Sequence, residues 1–396
     1  MYEAVDILWA FFQILIGYNL ILPIILFFIY STKRKRETLK TEVLPEADYA
    51  IVVTAYEQTD TLPGVVKSLQ ALHYSNYIIY IVADKCDISN LSFNDPKVIL
   101  LRPEETLGSN TRSHFYAINN FIREHERITI IDSDNLVHPE YLNELNVYFE
   151  KGFNAVQGVR KARNTDTIYA TLDSARDIYY HFFDGQVLFS IGSSATLAGS
   201  GMAFSVALYK KSLQHLDITG AGFDKVLQFQ IVNKDLRIAF AHDAIVFDEK
   251  TSKTDQLVNQ RARWINTWFK YFTYGFTLLK KGIINKSINQ FVFGFILVRP
   301  PLFIFLLLSG LCLVVNIFVD PLIAIIWFLA FLLFILSFII ALRSSNAGKN
   351  IYVSLLKSPL FIFYQVLSLL KVKNANKHSV ATKHYSSNDH QDKSLL

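Results

Sequence analysis

The pattern of apolar and polar positions divides the chain into an apolar amino-terminal run, a polar middle with short apolar strings, and a second apolar region before a polar tail. The first run extends from Ile7 to Tyr30 without a charged residue. At ~1.5 Å per helical residue it crosses a hydrocarbon layer of ~30 Å. Glu3 and Asp6 precede it and Lys33, Arg34, Lys35 and Arg36 follow, which places the amino terminus outside and the next segment in the cytoplasm. A cleaved signal peptide, with a basic leader and a small-residue cleavage site, is not expected from this pattern.

The second apolar region begins near Ile288, is broken at Arg299-Pro300-Pro301, and resumes from Leu302 to Val319. After Asp320-Pro321 another run, Leu322 to Leu342, ends at Arg343, so residues 301–343 read as a transmembrane hairpin and 276–300 as an interfacial segment. Residues 351–370 contain Lys357 and Pro359, which favours an interfacial or re-entrant helix over a span. The tail 371–396, rich in Lys, His, Ser and Asn, reads as disordered.

Between the flanks, residues 45–275 alternate strand and helix patterns. Tyr49 to Thr54, Tyr77 to Val82 and Ile128 to Ile131 are strand-like. Leu62 to Leu72, opened by Thr61 and Pro63, and Thr111 to Glu124 are helix-like. Such alternation predicts an α/β fold with a mostly parallel sheet covered on both faces. Ligands in these sheets bind beyond the carboxyl ends of the strands.

Composition sharpens the division. Hydrophobic residues make up 51% of the chain, with 32 Phe, and the excess lies in the flanks. The net charge of +5 is concentrated beside the membrane segments, where orientation and attraction to anionic lipid account for it. No interleaving of basic and aromatic residues points to nucleic acid. Cys86 and Cys312, far apart in sequence, build neither a zinc site nor a disulfide framework.

Candidate chemistry falls at the predicted strand ends. The third strand delivers Asp132 and Asp134, hard oxygen ligands suited to Mg²⁺ or Mn²⁺. A metal held there offsets the charge of a departing diphosphate. A solvated turn is the plain alternative. A phosphatase-type aspartyl nucleophile is a rival, although Asn135 and Leu136 stand where that chemistry wants a small hydroxylated or branched residue. Thr54-Ala55-Tyr56-Glu57 follows the first strand and Asp84 the second, so base, ribose and diphosphate contacts converge on one crevice. Downstream, Gly199, Ser200 and Gly201 mark a backbone approaching a sugar ring or a neighbouring strand. Asp224 opens a helical pattern, as a cap or as a general base if it faces the crevice. Gln260, Arg261, Arg263 and Trp264 lie on a helix before the second flank, as interfacial anchors or as diphosphate and acceptor contacts.

In this order, the AYE segment, ADxC, DxD, the GSGMAF segment, the isolated Asp224 and QxxRW resemble the family 2 inverting glycosyltransferases. The likeness, over about residues 46–275, is to the membrane-embedded branch that includes cellulose, hyaluronan and poly-N-acetylglucosamine synthases. It implies a GT-A type nucleotide-binding sheet with helices on both faces, flanked by transmembrane helices. It also implies that Tyr56, Glu57 and Asp84 hold the uridine of a UDP-sugar, with Thr54 beside them, and that Asp132 contacts the nucleotide or metal. Asp134 would bind the metal, Asp224 would deprotonate the acceptor hydroxyl, and Gln260, Arg263 and Trp264 would meet the diphosphate and the acceptor sugar, with Arg261 beside them. The enzyme would sit in the plasma (inner) membrane with its catalytic domain cytoplasmic, and would extend a growing glycan or a lipid-linked acceptor. Export would call for a partner subunit or a homo-oligomer. Three positions depart from the family pattern: Phe223 replaces a Glu before the catalytic Asp, Asp87-Ile88 replaces the acidic residues after ADxC, and Leu107-Gly108-Ser109-Asn110 replaces a Lys-Gly pair. They motivate a second reading, a catalytically silent scaffold that binds nucleotide-sugar.

Overall fold

The computed structural model describes residues 2–33, 44–251 and 254–374. Arg34, Lys35 and Arg36, and residues 375–396 of the expected disordered tail, lie outside the described residues.

After helix α1 (Tyr2–Lys33), the chain lays down β1 (Tyr49–Tyr56), α2 (Leu62–Gln70), β2 (Tyr77–Asp84), β3 (Val98–Leu101), α3 (Asn110–Asn119), β4 (Arg127–Asp132), the two-residue β5 (Leu136–Val137) and α4 (Tyr141–Glu150). Next come β6 (Ala155–Ala162), α5 (Ile168–Tyr180), a π-helical turn (His181–Val187), α6 (Leu188–Ser190), β7 (Met202–Ser205), α7 (Val206–Leu213), α8 (Phe223–Val232) and β8 (Ala239–Asp248). Eight strands form one sheet in the order β3-β2-β1-β4-β7-β6-β8-β5. The half containing β1 to β4 is parallel, as the apolar runs predict. The other half is mixed, because β7 runs antiparallel to both β4 and β6, and β5 antiparallel to β8.

Strand alternation sorts the core into two layers. Tyr49, Ile51 and Val53 of β1 face Leu62, Val65 and Leu69 of α2 and Leu142 and Leu145 of α4. Ala50 and Val52 turn the other way, in a cluster with Ala117 and Ile118 of α3, Leu208 of α7 and Leu227 of α8. With both faces covered, every residue of β2 is buried. The expected α/β sheet with helices on both faces is therefore present.

The carboxyl-terminal part is helical: α9 (Thr254–Tyr271), α10 (Thr273–Ile284), α11 (Ile288–Val298), α12 (Leu302–Val319), α13 (Pro321–Ser344), α14 (Lys349–Ser354) and α15 (Ser358–Leu369). The segment read as interfacial forms the hairpin α10–α11, whose Leu278 and Phe293 enter the second core layer. Four segments are long and apolar enough to cross a membrane: Ala4–Lys33, Leu302–Val319, Pro321–Ser344 and Lys349–Leu369. The fourth, which the sequence assigns to the interface, is the least apolar and is interrupted by a 3₁₀ turn at Leu355–Lys357.

Polar bonds tie the spans together: Gln13 accepts from Trp327 Nε1 at 2.8 Å and from Asn316 Nδ2 at 2.7 Å. Between apolar helices such bonds are worth about 1 kcal/mol each. Ile16 and Leu20 of α1, Phe305 of α12 and Phe334 of α13 share a cluster with Tyr179, Phe182 and Phe183, which joins the membrane helices to α5 and the π turn.

Candidate active site

The parallel register brings the polar ends of three strands to one edge. Thr54 pairs with Asp132 across β1 and β4, and Tyr56 with Asp84 across β1 and β2. Asp132 and Asp134 are both half-buried. Their turn is held from behind: the buried Ser200 Oγ accepts from the Asp132 N–H at 3.0 Å and donates to Asn135 Oδ1 at 2.5 Å, and Thr61 Oγ1 donates to the Ser133 carbonyl at 2.6 Å. Two hard carboxylates on one braced turn fit Mg²⁺ or Mn²⁺.

Asp84 is buried and receives the N–H groups of Leu107 at 2.9 Å and Gly108 at 2.8 Å. This fixes the loop that replaces the Lys-Gly pair and delivers Asn110 to the cavity described next. Glu57 takes a left-handed backbone conformation (φ 60°), donates its N–H to the Asp84 carbonyl at 3.1 Å and is ion-paired to Lys85 at 2.7 Å. Tyr56 stands half-buried beside them, 6.0 Å from the Lys85 ammonium.

A cavity of about 500 Å³ opens from this edge, lined by Asp132, Gly199, Asp224, Gln260, Arg261 and Trp264 among others. Thr54, Tyr56, Glu57, Asp84 and Asp134 stand outside its lining, as do Ser200, Gly201 and Arg263. The GSG segment divides accordingly. Gly199, in a left-handed conformation (φ 87°) with open space where a Cβ would stand, faces the cavity, whereas a Cβ on Gly201 would come within 2.8 Å of Val246 Cγ2. Gly201 therefore serves strand packing.

Asp224 sits in the first turn of α8, 3.2 Å from Lys225 Nζ, and faces the cavity. Gly222 caps the helix at φ 104°, where a Cβ would lie 2.6 Å from Thr267 Cγ2 and 2.7 Å from Tyr271 Cε2. Only glycine lets α8 approach α9 this closely. Phe223 is a core residue, its ring 5.0 Å from that of His114. Burial pushes His114 down to about 3, so the ring is neutral and shares a 2.7 Å hydrogen bond with the Tyr209 hydroxyl.

The opposite wall adds residues that the sequence reading missed. Arg160 of β6 and Arg176 and Asp177 of α5 line the cavity beside the expected Arg261 of α9, with Lys250 behind them. Asp177 is ion-paired with Lys250, with Arg176 at 2.5 Å and with Arg160 at 3.5 Å. Burial opposes its ionisation, and Lys250, Arg176 and Arg160 overcome that, holding the carboxyl well below the usual range. Asp173 takes Arg176 at 3.0 Å and Arg261. The guanidiniums of Arg176 and Arg261 lie 4.3 and 4.0 Å from the centre of the Trp264 ring, so this indole organises a cation pair. The available signal was the Arg176-Asp177 pair on a helix with no exposed face.

The family model for "Glycosyltransferase like family 2" matches residues 45–267. No curated protein sequence matches the chain. Among solved structures, it is similar to the mannosyltransferase PcManGT from Pyrobaculum calidifontis, solved in complex with GDP-Man and Mn²⁺, at 12% identity and a TM-score of 0.54 over 94% of this chain and 99% of that one. A lower similarity, TM-score 0.41 at 14% identity, links 59% of the chain to 66% of S. aureus TarS 1–349 in complex with UDP-GlcNAc. The first likeness covers the membrane helices as well as the sheet, and the fold is of the GT-A type. With the family match spanning more than half of its length, the chain belongs to the glycosyltransferase-like family 2.

Proposed function

We propose that the chain is a membrane-integral inverting glycosyltransferase that moves a hexose or N-acetylhexosamine from a nucleoside-diphosphate sugar to a growing glycan or lipid-linked acceptor of a surface polysaccharide. The observation that carries this reading is one cavity lined by both Asp132, at the end of the braced strand, and Asp224.

Asp132 and Asp134 hold Mg²⁺ or Mn²⁺, which when bound offsets the charge of the leaving diphosphate. Tyr56, Glu57 and Thr54 border the nucleotide, and Asp84 shapes the loop beside it. The acceptor oxygen attacks the anomeric carbon as the bond to the diphosphate breaks, the electron pair leaves with the nucleotide, and Asp224 takes the acceptor's proton. Gln260 and Trp264 border the acceptor, while Arg263 stands outside the cavity lining. The donor is a UDP-sugar by the family resemblance, and GDP-mannose belongs in the assay because a mannosyltransferase of the same fold was solved with it. The basic residues after α1 favour a cytoplasmic catalytic domain in the plasma membrane. Export of a polymer would draw on a partner subunit or a second copy.

Phe223, the departure that favours a silent scaffold, is accounted for by its packing on His114 and leaves Asp224 on the cavity wall. Asp224→Asn should retain nucleotide-sugar binding and lose about 10²- to 10⁴-fold in transfer. Unchanged transfer would remove Asp224 from the reaction, and a biological effect that survives without turnover would support the scaffold.

A further inference from the structure

Gln365 of α15 reaches the catalytic cavity from beyond residues 45–267, the span of the family match. We propose that Gln365 is a specificity-determining residue of the acceptor site, its carboxamide hydrogen-bonded to hydroxyls of an uncharged acceptor sugar beside Trp264. This rests on the transferase reading above and adds a determinant that lies outside the family motifs.

The sequence of α15 explains how an amide comes to stand there. Phe361, Gln365 and Ser368 recur at helical spacing and are the buried residues of the helix, so they form one face. That face lies along α9. Phe361 packs with Leu172 and Leu257, and its ring is 5.9 Å from the Arg261 guanidinium. Beyond α15, Asn266 Nδ2 donates to the Val372 carbonyl at 3.0 Å and Lys371 Nζ to Asn259 Oδ1 at 3.2 Å. Gln365, one turn after Phe361, is held between these anchor points, along the stretch of α9 that carries Arg261 and Trp264. Gln365 and Trp264 line the same cavity.

The amide is uncommitted. Gln365 is only 7% exposed, yet it makes no hydrogen bond with any described residue. Ser368 on the same face, by contrast, donates to the Tyr364 carbonyl at 3.1 Å, and Gln228, also on the cavity wall, accepts from the Leu197 N–H at 3.0 Å. Neither amide atom of Gln365 is sealed off from the cavity. Buried polar groups are paired in folded proteins or in their complexes, so an amide fixed by its helix and open to a cavity is matched to what enters that cavity.

The chemistry of the amide selects the ligand. It offers two N–H donors and a carbonyl oxygen. A sugar hydroxyl both accepts and donates, so neighbouring hydroxyls meet both sides of one amide, replacing the water that serves it in the free protein. An ionised phosphate group has only acceptor oxygens and would leave the amide oxygen unmet. The Trp264 indole supplies an apolar ring for the C–H groups of the same sugar. A neutral amide meets a neutral hydroxyl without stranding a charge, so the class is a neutral hexose or N-acetylhexosamine.

The test uses the full chain in nanodiscs with Mn²⁺ and UDP or GDP. Binding of the methyl glycosides of glucose, mannose and N-acetylglucosamine is measured beside that of their monodeoxy analogues. Donor affinity is measured separately with UDP-GlcNAc and GDP-mannose. A glycoside should bind, and loss of one hydroxyl should weaken its binding about tenfold. Gln365→Met keeps the length and flexibility of the side chain; it should bring that ratio to about one and leave donor affinity within about twofold. Should that variant fail to fold, Gln365→Asn, which withdraws the amide by one methylene, is read in the same way. Equal binding of each glycoside and all its deoxy analogues, or no glycoside binding at all, overturns the proposal without any variant. A hydroxyl preference that persists in the folded variant assigns it to another residue, and equal loss of donor and glycoside affinity assigns the amide to the donor sugar. Each overturns it too. Failure of donor binding with the Gln365-dependent hydroxyl preference intact would sink the transferase reading and leave the sugar site standing.

Discussion

At the sheet edge, Thr54, Asp84 and Asp132 share one place because β1, β2 and β4 run parallel in register. On the facing wall, Arg160, Arg176, Lys250 and Arg261 come from β6, α5, the segment after β8 and α9, and are assembled by ion pairs through Asp173, Asp177 and Asp248. The first half is placed by backbone geometry and braced by single hydrogen bonds. The second exists only when distant segments have already folded together, and each member keeps another's charge from being stranded. Changes at the edge should therefore alter function at small structural cost, and changes on the wall should unfold it.

The largest expected effect on stability is on the wall. Lys250 bonds both Asp177 and Asp248, and Lys250→Met leaves two buried carboxylates short of a cation, a loss of about 3–5 kcal/mol. Thermal unfolding of the full chain reads this, and an unchanged midpoint would break the comparison.

Acidification separates two regions. His114 has a folded-state value far below its unfolded value of about 6.5, so between them the unfolded chain binds the extra proton. That contribution is complete above about pH 6.5 and is lost as the pH falls towards about 3, on the order of a few kcal/mol. Asp177, with its folded value depressed, contributes fully above its unfolded value of about 3.9 and loses that contribution only at lower pH. A stability curve that begins to fall near pH 6, and falls less steeply there in His114→Gln while His181 and His125, also pushed down by burial, still contribute, agrees with this order. No change until pH 4 would contradict it.

The smallest effect belongs to the edge. Asp84→Asn turns an amide towards the Leu107 and Gly108 N–H groups that the carboxylate now accepts, at about 1–3 kcal/mol. Donor affinity should fall while the melting temperature moves by only a few degrees. A collapse of the fold would show that Asp84 belongs with the wall in its energetics.

The same contrast explains what could be read from the chain. β1, β2 and β4 are continuous apolar runs ending in polar residues, so local sequence shows both the strands and the groups at their ends. β7 has only four residues, inside the glycine-rich segment, and β5 only two, too short for a periodic signal, which is why the mixed half of the sheet went unforeseen. The QxxRW motif is visible as a motif. That Arg261 rather than Arg263 faces the cavity is decided by how α9 packs against α5 and α15, where Leu257 meets Leu172 and Phe361. Lys250 and Arg261 meet carboxylates 73 and 88 residues away, a separation at which no local pattern pairs charges.

The most direct test of the central claim is transfer of radiolabelled sugar by membranes containing the full chain, supplied with a panel of UDP-sugars and GDP-mannose and with Mg²⁺ or Mn²⁺. The account predicts a labelled glycan or lipid product that disappears on chelation and in Asp134→Asn. Phosphate release without sugar transfer, or transfer indifferent to the metal and to Asp134, would contradict it.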